Sequence, residues 1–142
     1  MSAENKAIAR RFYEEIINHR NQSVVDELVA PGFVDHNPIG PGIAPGPEGV
    51  KQTFAMFRSG LPDMNVTIED QIAEGDKVVS RLTARGTHKG ELMGIPPTGK
   101  KLTMGVIDVI RFKGGKAVER WGESDNMGMM QQLGVIPTPE EA

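Results

Sequence analysis

Hydrophobic residues recur along the chain with two different periods, and the change of period divides it into two halves. Near the start, Ile8, Phe12 and Ile16 recur every four residues, with Ala9, Tyr13 and Ile17 beside them. That spacing predicts an amphipathic helix, with Ser2 as its cap and Glu4 in a first turn whose dipole favours a negative charge. After a break at Asn18–Asn21, Val24, Val25, Leu28 and Val29 predict a second, short helix, which Pro31-Gly32 stops. Phe33-Val34-Asp35-His36 has room for one short strand or bridge. Asn37–Pro47 holds four Pro and three Gly in 11 residues and is a loop. Pro47 then suits the first position of a third helix, with Val50, Phe54 and Phe57 on one face and Gly60 at its end.

From Val66 onward the period falls to two. Val66, Ile68 and Ile72 mark a strand, and Glu74-Gly75-Asp76 makes a hairpin into Lys77–His88. Lys89–Lys100, with three Gly and two Pro, reads as a long loop serving as a lid or an interface arm. Leu102, Met104, Val106, Asp108 and Ile110 then alternate, and a turn through Gly114-Gly115 leads into the last strand. Met127–Leu133 is a helical turn closed by Gly134. Helices first and hairpins later argue an α+β fold, three N-terminal helices packed on a curved antiparallel sheet whose concavity forms a pocket. No βαβ period, Gly-rich phosphate loop or internal repeat is present.

Composition narrows the function. At 142 residues the chain makes one domain, 1–142, with room for a core. A net charge of −3 without a basic block argues against nucleic acid. Cysteine is absent, so thiolate and disulfide chemistry are excluded. The three His (His19, His36, His88) never stand at helical metal-ligand spacing, and no metal is expected. No apolar run reaches the roughly 20 residues of a membrane span, and no signal-peptide core precedes the first helix. The expectation is a soluble, cytoplasmic protein.

Candidate chemistry lies in the last strand, which splits into two parities: Val118, Arg120 and Gly122 against Glu119, Trp121, Glu123 and Asp125. On an outer face the chain's only Trp would sit among charges, so the second set is read as facing inward. Asp125 is then partly desolvated beside Trp121 and Met127, Met129 and Met130, and suits a general base. The competing role is a cap for the helical turn it precedes. His36 has the chemistry to bond a substrate carbonyl or shuttle a proton, or else to hold its loop. His88 is read as a strand-end residue bonding loop backbone. Arg81, Thr83 and Arg85 share a parity that faces solvent by default, yet an inward Arg81 would pair with Glu123 or Asp108. Phe12, Phe33, Phe54, Phe57, Leu61 and Met104 are expected inward, as core or as substrate wall. The exposed sheet face and the Met-rich tail argue for self-association, with a dimer expected.

Three stretches carry a resemblance to a known family: Phe33-Val34-Asp35-His36-Asn37-Pro38, Arg81–His88, and Gly94-Ile95-Pro96-Pro97-Thr98-Gly99-Lys100. Ile107–Phe112, Gly115–Trp121, Asp125 and Gln131-Gln132-Leu133-Gly134 extend it from about Asn5 to Gly134. The chain resembles the SnoaL-like ester cyclases of the nuclear transport factor 2-like superfamily, whose fold is a cone-shaped α+β barrel. The resemblance implies a polyketide cyclase: a pocket carboxylate takes a proton from an activated carbon, and the enolate attacks a carbonyl of the same molecule, without metal or cofactor. It places the acid/base aspartate at Asp125 and His36 at the pocket mouth. The substrate-binding set is then Phe12, Phe33, Phe54, Phe57, Arg81, Met104, Asp108, Trp121 and Glu123. Two other functions fit the same fold. One is a non-catalytic binder of a small apolar ligand, and the other a hydrolase or dehydratase that uses Asp108, Glu123 and Arg81 around a water.

Overall fold

The computed structural model describes residues 2–137. Helix α1 (Ser2–Arg11) runs directly into a π-helical turn, Phe12–Asn18. The wider turn, a feature that recurs at functional sites, puts Phe12, Tyr13, Ile16 and Ile17 all into the interior. Helix α2 (Ser23–Leu28) leads without a loop into β1 (Val29–Asp35), and α3 (Gly46–Gly60) follows with Pro47 in its first turn. Then come β2 (Asn65–Glu74), β3 (Lys77–Thr87), β4 (Lys101–Lys113), β5 (Lys116–Ser124) and α4 (Asn126–Leu133).

The strands form one curved, open sheet in the order β1-β5-β4-β3-β2. Consecutive strands β2 to β5 pair antiparallel, the last pair through Gly114 and Gly115, both at positive φ (60° and 79°) as a primed two-residue turn requires. Two expectations need correction. The sheet is mixed, because β1 lies parallel to β5 at its edge. And Pro31-Gly32 does not end a helix: it lies inside β1, an edge strand, where a missing N–H costs no ladder bond.

The inner face of β3 and β4 (Val78, Leu82 and Ala84; Ile110 and Phe112) packs on Ala9, Phe12, Tyr13, Ile16 and the helix α2 residues Val24 and Val25 as one core. A second cluster, around Leu61, Leu92, Leu102, Met129 and Leu133, closes the other end. Loop 89–100 joins that cluster through Leu92, which is 2% exposed, and sends Met93 to the cavity wall. It is pinned by His88, as expected of a strand-end residue: its Nδ1 accepts from the Thr98 N–H at 3.2 Å. Between helices and sheet, the layers part to leave a cavity of about 350 Å³.

Candidate active site

Alternation along β4 decides what reaches the cavity floor. Leu102, Met104, Val106, Asp108, Ile110 and Phe112 share the inner parity, so a carboxylate is carried into an apolar row. Asp108 is 4% exposed, and a buried charge persists only if it is paired and hydrogen-bonded. Both conditions are met. Tyr13, delivered by the π-helical turn, donates its hydroxyl to Asp108 Oδ2 at 3.0 Å. Arg120 donates from Nη2 to Oδ1 at 2.8 Å. Each carboxylate oxygen therefore holds one partner and retains acceptor capacity toward the cavity.

Arg120 is itself shared. Its Nη1 reaches both oxygens of Asp35, at 3.0 and 3.1 Å, and the Asn37 carbonyl at 3.2 Å. Burial acts to lower the Arg120 pKa, but the carboxylates of Asp108 and Asp35 outweigh it, and the group is held above its usual value. Burial first, and then the Asp108 carboxylate, push the Tyr13 phenol well above its ordinary value of 10. Gly122 faces Asp108 across the β4–β5 ladder, and its N–H bonds to Asn37 Oδ1 at 3.0 Å. A Cβ there would stand 2.2 Å from Arg120 Nη2 and 2.6 Å from Asp108 Oδ1, so only glycine leaves room for this ion pair.

Phe12, Phe33, Phe54, Phe57 and Met104 line the cavity walls, with Asp108 on the floor and Glu123 at the boundary. The other four expected site residues lie outside it. Trp121 faces away: β5 presents Arg120, Gly122 and Ser124 inward, and Trp121 pairs with the outer-face Val109. The physical reason is an apolar row across the back of the sheet, Ile72, Val79, Val109 and Trp121, in register over four strands. The Trp is therefore not stranded among charges. His36 belongs to that same outer side, stacked on Trp121 at 4.8 Å and 8° with its Nε2 2.8 Å from Glu119 Oε2. Arg81 is exposed and reaches Asp70 at 3.3 Å, not Asp108 or Glu123. Asp125 is exposed and accepts the Gly128 N–H at 2.9 Å as the cap of α4, so the cap geometry, not a cavity position, is what it occupies.

Sequence reasoning missed Tyr13, Asp35, Asn37 and Arg120, all in the cavity lining. One signal for them was available. An Asp at an inward position of β4 demands a cation on the facing strand, and Arg120 is the cation on the parity of Gly122. Among the described residues no three His, Cys, Asp or Glu side chains converge to hold a metal ion.

A curved α+β sheet around an apolar cavity with a paired carboxylate at its floor defines a class of small-molecule proteins, and comparison narrows it. Residues 7–133 match the model of the SnoaL-like polyketide cyclases, and the chain belongs to that family. It is 31% identical to the aklanonic acid methyl ester cyclase AcmA of Streptomyces galilaeus over 97% of this chain and 95% of that one. It is 29% identical to the nogalonic acid methyl ester cyclase of Streptomyces nogalater, over 82% and 87% of the two chains. Among solved structures, TsrD of Streptomyces laurentii superposes with a TM-score of 0.86 at 28% identity, over 94% and 97% of the two chains. IdmH of Streptomyces antibioticus does so at 0.80 and 34%, over 92% and 98%. The protein is an enzyme of the ester-cyclase type.

Proposed function

We propose that this enzyme closes a carbocyclic ring within an aromatic polyketide ester by acid–base catalysis, with Asp108 as the base. The observation that carries the reading is the buried Asp108 carboxylate at the floor of an apolar cavity, held by Tyr13 and Arg120. Asp108 takes the proton from a carbon flanked by carbonyl groups. The enolate carbon then attacks a ketone carbon of the same molecule, one carbon–carbon bond forms, and the new alkoxide receives the proton back. Substrate and product are isomers, so neither oxidant nor cofactor enters the balance. The aromatic walls, Phe12, Phe33, Phe54 and Phe57, hold a flat apolar substrate, and exclusion of water protects the enolate.

Asp125 is the competing base. It stands one residue from Asn126, which lines the cavity, and the family resemblance gives it that role. Homodimerisation through the outer sheet face belongs to the same proposal, supported by the row from Ile72 to Trp121 and by the 66% and 50% exposure of Ile72 and Ile107. No described helix is long and apolar enough to cross a membrane.

The test is incubation of the purified protein with aklanonic or nogalonic acid methyl ester, without added metal or cofactor, followed by chromatography and mass spectrometry. A new species of unchanged mass with one carbonyl fewer is the expected result. Tight binding of both esters with no turnover would favour the non-catalytic binder instead.

A further inference from the structure

The tip of β1 is attached to the sheet in an unusual way. Its ladder with β5 pairs at Val29, Val34 and Asp35 and is irregular between Val29 and Val34. At the free end, alternation sends three consecutive side chains to two sides. Asp35 turns into the cavity and grips Arg120, and Asn37 accepts from Arg120 and from the Gly122 N–H. Asn37 also donates its own N–H to Asp35 Oδ1 at 2.9 Å, which ties the two inward residues into one turn. Between them His36 turns outward. Its ring lies flat on Trp121, and its Nε2 meets a Glu119 that Arg111 Nε holds from the other side at 2.6 Å. Lys77 Nζ stands 5.5 Å from the Trp121 ring centre, so the indole is itself held in place. The last ladder bond of β1 runs from the His36 N–H to the Arg120 carbonyl at 2.9 Å, and beyond Asn37 the chain enters the Pro/Gly loop with no further pairing of β1.

We propose that His36 is a positioning residue: its stack on Trp121 and its bond to Glu119, on the back of the sheet, hold the β1 tip so that Asp35 and Asn37 clamp Arg120 against Asp108. The inference rests on the reading of Asp108 as base, but its mechanical part concerns Arg120 alone. The outer grip and the inner clamp are one residue apart in sequence, so releasing the first lets the second drift. Displacements on the scale of an ångström cost up to about a hundredfold in rate. His36 itself touches no substrate, since the sheet lies between it and the cavity.

Three variants and two readouts test this. His36→Ala removes stack and bond, His36→Phe retains the stack, and Trp121→Leu removes the stack from the other side. The first readout is the kcat and KM of ring closure. The second is the nitrogen-15 signal set of the Arg120 guanidinium in the free enzyme, which a clamped group shows as separate, slowly exchanging Nη resonances. His36→Ala should lower kcat about tenfold or more with KM within about twofold, and should merge the Arg120 signals. His36→Phe should restore most of both. Trp121→Leu should reproduce the loss, and the His36→Ala/Trp121→Leu double variant should be little worse than either single one. Unchanged Arg120 signals in His36→Ala overturn the proposal, as does unchanged kcat. Should His36→Ala fold poorly, Trp121→Leu with wild-type signals and kcat overturns it equally. If Asp108→Asn kept full activity, the base assignment would fail, while the Arg120 signals would still decide the positioning role.

Discussion

Tyr13 is the only tyrosine of the chain, so its titration reports on the cavity floor without ambiguity. Burial and the Asp108 carboxylate raise its pKa well above 10 in the folded protein, whereas the unfolded chain has the ordinary value. A raised folded pKa gives stability that is fully present below pH 10 and is lost as the pH climbs toward the folded value. Phenolate absorbance should therefore be missing at pH 10 and emerge only at higher pH, together with unfolding. In Asp108→Asn the onset should move down but stay above 10, because burial is the larger cause. A free titration near pH 10 in the folded enzyme would contradict the buried Tyr13–Asp108 bond. The same floor shows why one residue misled the sequence reading. A lone indole among charges looks costly, which puts Trp121 inward and Asp125 with it, whereas Glu123 does reach the cavity boundary. Nothing local to β5 reveals that Ile72, Val79 and Val109 align beside the indole on the back of the sheet.

At the scale of elements, the aromatic contacts of the first helix separate core from wall. Phe12 is 4% exposed and meets Tyr13 and Phe54 edge-on, at centroid distances of 5.5 and 5.8 Å. Phe12→Ala should cost about 3–5 kcal/mol in chemical denaturation. Phe54 stands half-buried in the cavity wall, so Phe54→Ala leaves less of a void and should cost about 1–3 kcal/mol while raising KM. Equal losses would mean that the wall is ordinary core. The helices and hairpins were legible because each depends on neighbours in sequence: the period of four through Ile8, Phe12 and Ile16, Pro47 at a helix start, Gly114-Gly115 at a turn. The β1 strand was not. Pro31-Gly32 is a stop signal in any helix, and only the edge position of β1, set by its parallel pairing with a segment about 85 residues later in the chain, makes it acceptable. The candidate site suffered in the same way, since Asp35, Asn37 and Arg120 meet only once that pairing is made.

At the scale of the whole molecule, the apolar row on the back of the sheet should bury itself against a second copy, and light scattering at micromolar concentration should give twice 15.4 kDa. A mass of 15.4 kDa would rule the dimer out. The proposed acid–base group is the carboxylate at the cavity floor and not the one capping α4, and two conservative variants separate them. Asparagine caps a helix as well as aspartate does, so Asp125→Asn should leave stability and kcat close to wild type. Asp108→Asn keeps the shape of the side chain and removes the base, so kcat should fall by about a hundredfold or more. The decisive measurement is kcat for ring closure by the two variants on the same ester, each shown to be folded. A large loss in Asp108→Asn with Asp125→Asn intact is the predicted result. The reverse pattern, full activity without the Asp108 carboxylate and none without that of Asp125, would make Asp125 the base and leave Asp108 a structural role.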